Sequence, residues 1–321
     1  LHLNISGILD KALMAEALNK DEALYLCNDA PLEELFHAAT EVREHHKGMK
    51  ADFCSIVSAK TGACSEDCAY CAQSARSKTH VKASPLVGMD VVIEKARAAR
   101  ASGAKRFCIV TSGRGMKAGE LESIAGYISE VKSSGMAPCA TLGLLGKDDI
   151  RILKDAGLNR YHCNLESSRG YFKNICTTHT YGQKLDTIRT AKEAGLSVCS
   201  GGIFGLGESW DDRIEMAREL LALGVDSVPI NFLVPIKGTP LEERPLLTPH
   251  EALRIVALYR MMLPEKQIRV CGGRLQTLGA MNQMVFMAGA DGLLTGDCLT
   301  VAGCSPDEDM RLAETCGLSY K

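Results

Sequence analysis

This chain of 321 residues carries almost no net charge, no long apolar run and no internal repeat. A formal charge of −2 offers no electrostatic footprint for nucleic acid. No apolar stretch reaches the ~18 residues that a membrane span requires. Segment 1–30 has acidic residues and no A-x-A-like cleavage site, which argues against a secretory signal. No low-complexity linker divides the chain, and its length suits a single large core of barrel type. The chain does have cysteine, 14 in all. Disulfide scaffolds of secreted proteins are usually short. A long chain with clustered thiols reads instead as a metalloprotein of a reducing compartment, here the cytoplasm.

Three of the thiols stand out. Cys64, Cys68 and Cys71 form a C-x3-C-x2-C run inside ACSEDCAYCAQS. At this cysteine content, such a run arises by chance about 0.03 times per chain. A structural zinc site needs four ligands, usually as two C-x2-C knuckles, and no partner knuckle lies nearby. Structural iron–sulfur sites usually supply four cysteines. Three thiolates can hold three irons of a cubane and leave the fourth iron open for a substrate-derived ligand.

Short β-branched or apolar runs alternate with amphipathic stretches along the chain. The runs are 52–58, 106–112, 138–145, 160–166, 197–204, 227–234, 267–273 and 292–295; the stretches include 90–101, 120–133, 182–194, 211–223 and 249–262. Eight strand–helix alternations predict an α/β fold, a (βα)8 TIM-type barrel. A doubly wound open sheet is the alternative. Residues 1–50 look helical and read as an N-terminal cap on the bottom of the barrel, with 51–321 as the barrel and its C-terminal segment.

Alternation within each run predicts what points inward. Apolar Phe107 and Ile109 should face the helices, which sends Arg106 and Cys108 inside. Cys139 and Thr141 share one face. By the same parity His162, Asn164 and Glu166, then Cys199 and Gly201, then Ser227 and Asn231, then Arg269 and Cys271 face the interior. A barrel interior is ordinarily filled by Val, Ile and Leu. Burying this many polar groups without purpose is costly, so the interior is predicted to be a site, with a second metal centre inside it.

These residues carry a family resemblance. The three-cysteine run, with Tyr70 before its last cysteine, resembles the signature of the radical S-adenosylmethionine (SAM) enzymes. RFCIVTSGRG, CATLGLL, CNLESS, CSGGIFGLGE, SVPINFLVPIKGTPL and GDCLT, in this order, make the chain similar to the biotin synthase family from about Asp52 to Leu318. The resemblance implies radical sulfur insertion converting dethiobiotin to biotin, with sulfur drawn from an auxiliary cluster in the barrel. It implies Cys64, Cys68 and Cys71 as ligands of a 4Fe–4S cluster, and Cys108, Cys139 and Cys199 as thiolate ligands of the auxiliary cluster. Arg274 matches the family's arginine ligand, which would make that cluster 2Fe–2S; a thiol at Cys271 offers a fourth thiolate and a larger cluster. Cys163, Cys176, Cys298, Cys304 and Cys316 read as inert buried thiols.

The same resemblance implies SAM contacts at Tyr70, at Thr111, Ser112 and Gly113, at Asn164 and Glu166, and at Gly201 and Gly205. Asn164, Asn231 and Thr300 are the implied dethiobiotin contacts; Val301 replaces a second threonine. Glu166 stands where aspartate is usual. The implied partners are dethiobiotin, a flavodoxin- or ferredoxin-type electron donor, iron–sulfur assembly proteins and a second copy in a homodimer. Two other classes stay open: another radical SAM enzyme on the same barrel, such as a hydrogenase maturase or an amino-acid lyase, and a non-catalytic iron–sulfur protein.

Overall fold

A computed structural model describes residues 3–117 and 119–320. Eight positions of parallel strand close into a barrel. They are β1 (Asp52–Lys60), β2 (Arg106–Thr111), β3 (Ala137–Thr141), β4 (Arg160–His162), the broken fifth position β5 (Ser197–Cys199) and β6 (Gly202–Phe204), then β7 (Ser227–Phe232), β8 (Gln267–Val270) and β9 (Gly292–Leu294). β1 pairs with both β2 and β9, and β7 closes the ring onto both halves of the broken strand. The open-sheet alternative is therefore excluded.

The break has a local cause. Gly201 lies against β7, where a Cβ would stand 2.1 Å from the Pro229 carbonyl oxygen. Only glycine lets the two backbones approach so closely.

Three helices precede the barrel: α1 (Ile5–Leu13), α2 (Lys20–Asn28) and α3 (Leu32–Lys47). The outer ring is α4 (Met89–Ala101), α5 (Glu120–Ser133), α6 (Lys147–Asp155), α7 (Tyr181–Glu193), α8 (Trp210–Leu223) and α9 (Pro249–Met262), followed by the short α10 (Arg274–Leu278) and by α11 (Pro306–Thr315). Starts and stops follow the sequence. Thr180, Ser209 and Ser305 each cap a helix in a reciprocal box with the residue three positions on, which satisfies otherwise orphaned N–H groups. Gly224 ends α8 in the left-handed conformation. The three leading helices pack on α8 and α9, where Arg254 of α9 donates to the carbonyls of Leu26 and Ala30 at the end of α2. No helix among the described residues is long and apolar enough to cross a membrane.

Strand parity separates two kinds of interior. Phe107, Ile109, Val198, Val228, Ile230, Ile268 and Val270 join the large apolar layer between strands and helices. Cys108, Val110 and Cys139 form a separate small cluster with Ile56, on the inner face of the wall. Burial of the outer layer, at about 25 cal/mol per Å2, holds the barrel and leaves its lumen free for other chemistry.

Candidate active site

The lumen opens into a cavity of about 390 Å3, a size usual for small-molecule sites. It lies toward the C-terminal ends of the strands, where TIM-barrel enzymes carry their chemistry. Its upper wall is the long segment after β1. Residues 61–88 form no helix or strand of their own, yet the segment is pinned. The Cys64 N–H donates to the Gln73 carbonyl, the Ala75 N–H to the Cys64 carbonyl, and the Cys71 N–H to the Cys68 carbonyl. Cys64, Cys68 and Cys71 all line the cavity, and none is in a disulfide.

Cys176 Sγ lies 3.1 Å from Asp67 Oδ1 and 3.2 Å from His179 Nδ1. Contact with Cys68, joined by His179 and Thr178, holds the Cys176 thiol below its ordinary range against burial.

Next to the loop stand Tyr70, Thr111, Ser112, Gly113, Asn164 and Glu166, all on the cavity wall. Gly201 and Gly205 do not line it; their neighbour Ile203 does. Glu166 adopts a φ of +72°, a conformation rare outside glycine that often marks a functional position. It is held there because its N–H donates to the Gly201 carbonyl and its carbonyl accepts from the Ile203 N–H. Its carboxylate accepts from Asn164 Nδ2 at 3.3 Å and lies 4.0 Å from the buried Lys184 ammonium. Burial, then the Glu166 charge, pushes the Tyr70 phenol well above its ordinary range.

Two asparagines tie strand ends together. Asn164 Oδ1 accepts from the Gly201 N–H at 3.1 Å. Asn231 Oδ1 accepts from the Gly272 N–H at 3.0 Å while Nδ2 donates to the Gly202 carbonyl at 3.1 Å. Each amide keeps one N–H and one lone pair for a guest. Thr300 and Val301 lie on the same wall.

Deeper in the barrel the thiols gather. Cys108 and Cys139 are direct register partners on β2 and β3, and Cys199 sits beside His162 across β4 and β5. Burial pushes the Cys199 thiol up, but the His162 imidazolium, with help from Arg160, outweighs it and brings the thiol to about 6. Cys271, just past β8, also lines the cavity.

Two more thiols on this wall escape the sequence reading. Cys54 of β1 lines the cavity; apolar Phe53 and Val57 on the opposite parity would have signalled it. Cys298, read from sequence as an inert loop thiol, lines it too. Cys176, read likewise, lies against the cysteine loop. Cys163 faces the apolar layer as its parity predicts, although it borders the cavity.

Arg274 requires a correction. The chain does turn after Cys271, with Gly273 at φ +76°, but the turn starts α10 and carries Arg274 away from the lumen. Its guanidinium is buried; Nη2 donates to both Asp309 oxygens, at 2.7 and 2.8 Å, and Nη1 donates to Asn282. It does not line the cavity. The arginine of this segment that lines the cavity is Arg269, two residues before Cys271 on the same parity. It pairs with Asp52 at 2.5 Å and donates to the carbonyls of Asp52 and Leu293. Burial opposes the Asp52 carboxylate, but Arg269 overrides it and keeps the carboxylate below its usual range.

The donor chemistry fits iron–sulfur groups. Three free thiols converge from one pinned loop, and a second set converges in the lumen. Around the second set stand three cavity-lining guanidiniums, Arg106, Arg160 and Arg269, and Arg106 and Arg269 pair with one carboxylate, Asp52. Arg160 spends its hydrogen bonds on neutral Ser197 and Gln267. Buried cations ordinarily carry partners, and an anionic cluster of sulfide and thiolates would supply the missing negative charge.

Comparison with known proteins agrees with this chemistry. The radical SAM superfamily model matches residues 59–220, and the biotin and thiamin synthesis associated domain matches residues 229–319. The chain is 51% identical over 291 residues to the biotin synthase of Thermodesulfovibrio yellowstonii, covering 91% of this chain and 92% of that one. It is 46% identical over 318 residues to the biotin synthase of Pelobacter propionicus, covering 98% and 97%. The chain belongs to the biotin synthase family.

Biotin synthases are radical SAM enzymes, and membership implies a 4Fe–4S cluster, SAM and dethiobiotin. Two solved structures share the fold at low identity. Methylornithine synthase (PylB) superposes with a TM-score of 0.83 at 20% identity, covering 97% of this chain and 96% of its own. HydG, a maturase of the [FeFe]-hydrogenase, superposes with a TM-score of 0.84 at 19% identity, covering 98% and 76%. These likenesses concern the barrel alone; the biotin synthase assignment rests on the sequence relatives.

Proposed function

We propose that this biotin synthase closes the biotin ring with sulfur taken from an auxiliary cluster held by the barrel thiols. The convergence of Cys108, Cys139, Cys199 and Cys271 on one cavity with the cysteine loop is the observation that carries this reading. When bound, the 4Fe–4S cluster supplies the electron that cleaves SAM to a 5′-deoxyadenosyl radical, and the auxiliary cluster supplies the sulfur atom.

The residues divide the remaining work. Cys64, Cys68 and Cys71 would hold the 4Fe–4S cluster beside the SAM pocket. Glu166 accepts hydrogen bonds from the SAM ribose, and its reach is fixed by the strained backbone and by Lys184. Tyr70 and Thr111–Gly113 wall the SAM pocket. Asn164 and Asn231 offer their free N–H and lone pair to the ureido ring of dethiobiotin, and Thr300 meets its carboxylate. Cys108, Cys139 and Cys199 are thiolate ligands of the auxiliary cluster and Cys271 is the fourth, which allows a cluster larger than 2Fe–2S. Arg269 stays a charge beside it, because a guanidinium remains protonated and is a far poorer iron ligand than a thiolate.

The reading extends to the cell. Free thiols and oxygen-sensitive clusters suit the cytoplasm, with a flavodoxin- or ferredoxin-type donor for the electron and assembly proteins for the clusters. Residues 1–50 act as a helical cap on a 51–321 barrel, and two copies form a homodimer. The test is stoichiometry. Reconstituted protein with SAM, a reductant and dethiobiotin should give biotin with two 5′-deoxyadenosine per product, because two C–H bonds must be broken. Steady SAM cleavage without biotin would refute it.

A further inference from the structure

A second set of metal-ligand side chains meets the cysteine loop from outside. Cys176 and His179 lie in the segment between β4 and α7, more than a hundred residues from the loop, and both are buried. The Sγ of Cys68, the Sγ of Cys176 and a ring nitrogen of His179 all lie within 4.8 Å of one another. Cys176 Sγ is 3.2 Å from His179 Nδ1 and 3.1 Å from Asp67 Oδ1. The backbone ties the two segments together, since the Ala69 N–H donates to the Ile175 carbonyl at 2.8 Å. Asp67 Oδ2 and Oδ1 accept from the Thr177 hydroxyl and N–H.

Zinc binds thiolate sulfur at about 2.3 Å and imidazole nitrogen at about 2.0–2.1 Å in tetrahedral sites. Ligand atoms on one such ion therefore stand roughly 3.3–3.8 Å apart. Cys176 Sγ and His179 Nδ1, 3.2 Å apart, already stand that close, and Cys68 Sγ, within 4.8 Å of both, needs to approach by no more than about an ångström. Asp67 Oδ1, the oxygen nearest the Cys176 sulfur at 3.1 Å, is at hand for the fourth position. His179 Nδ1 also contacts Glu66 Oε2 at 2.6 Å, and a metal would take the place of that contact.

We propose that, before its cluster is loaded, the chain binds a single zinc-class divalent ion through Cys68, Cys176 and His179. The site itself rests on these contacts alone. Its consequence rests on the reading of Cys68 as a cluster ligand: one sulfur serves either the mononuclear ion or the cluster, so zinc competes with cluster loading. Cys176 and His179 thereby act at the entry of the cluster and take no part in the chemistry of the loaded enzyme.

The test uses the full chain freed of iron by anaerobic chelation. The lumen offers zinc further thiols, so the readout must be residue-specific: alkylation by iodoacetamide, mapped by peptide mass spectrometry. Zinc should protect Cys68 and Cys176 together. In Cys176→Ser, which keeps a hydroxyl for Asp67 and Thr178, and in His179→Ala, the zinc concentration that protects Cys68 should rise at least about tenfold. Equal protection of Cys68 in all three chains would overturn the site.

In a second arm, iron and sulfide are added with one equivalent of zinc, and iron content is measured. Wild type should load less iron than Cys176→Ser. Equal loss of loading in both would overturn the competition. A Cys68→Ala chain that retains full iron would instead overturn the reading of Cys68 as a cluster ligand while leaving the zinc site standing.

Discussion

Arg274 and Arg269 lie five residues apart, and their roles can be separated by perturbing Arg274. Its guanidinium and the Asp309 carboxylate are 3% and 1% exposed and form two hydrogen bonds. Burial pushes the Asp309 carboxyl up, and Arg274 only partly offsets this. Removing one partner leaves an uncompensated buried charge, which costs about 3–5 kcal/mol. At roughly 2 °C per kcal/mol for a chain of this size, Asp309→Ala or Arg274→Met should lower the melting temperature by about 6–10 °C. Replacing both, as Arg274→Met with Asp309→Leu, should recover most of that loss, because a buried pair is often no better than an apolar one. The assay is thermal unfolding by circular dichroism under anaerobic conditions at a fixed scan rate, with iron measured on the same samples. Iron per chain should match wild type in every variant that folds. An Arg274→Met chain that keeps its melting temperature and loses iron would refute the structural role and restore Arg274 as a ligand.

Other outcomes follow from the same geometry. Cys68→Ala should abolish 5′-deoxyadenosine formation under reducing conditions, since two thiolates do not hold a cubane with an open site. Cys271→Ser should lower iron per chain and change the Mössbauer spectrum; an unchanged spectrum makes Cys271 a bystander. Asn231→Ala should weaken dethiobiotin by about 1–3 kcal/mol in calorimetry, the cost of an unpaired buried polar group, with iron content intact. In the cluster-free chain the Cys199 thiol, lowered to about 6 beside His162, is thiolate above that pH and protonates as pH falls through it. Its alkylation rate should therefore fall off near that value, and His162→Phe should move the fall-off to higher pH.

The barrel was legible because strands alternate. Phe107, Ile109, Val228, Ile230 and Ile268 declare the outer face, so Cys108, Asn231 and Arg269 had to face in. The cysteine loop was legible because its ligand types are packed into one short run. What escaped lies where local pattern stops. Gly273 turns the chain into α10, and no parity rule says that Arg274 will then meet Asp309, 35 residues on. Cys176 and His179 reach Cys68 across the fold, a contact that neither spacing nor periodicity encodes. Cys54 is a different case: its strand alternates as clearly as the others, and the same parity argument applied to Phe53 and Val57 finds it.

The most direct test of the account follows the sulfur. The auxiliary cluster is rebuilt with 34S-labelled sulfide, free sulfide is removed, and one turnover is run with SAM, reductant and dethiobiotin. The account predicts 34S in the biotin formed, and loss of both label and product in Cys108→Ala, Cys139→Ala and Cys199→Ala. Biotin that carries unlabelled sulfur from the medium would contradict it.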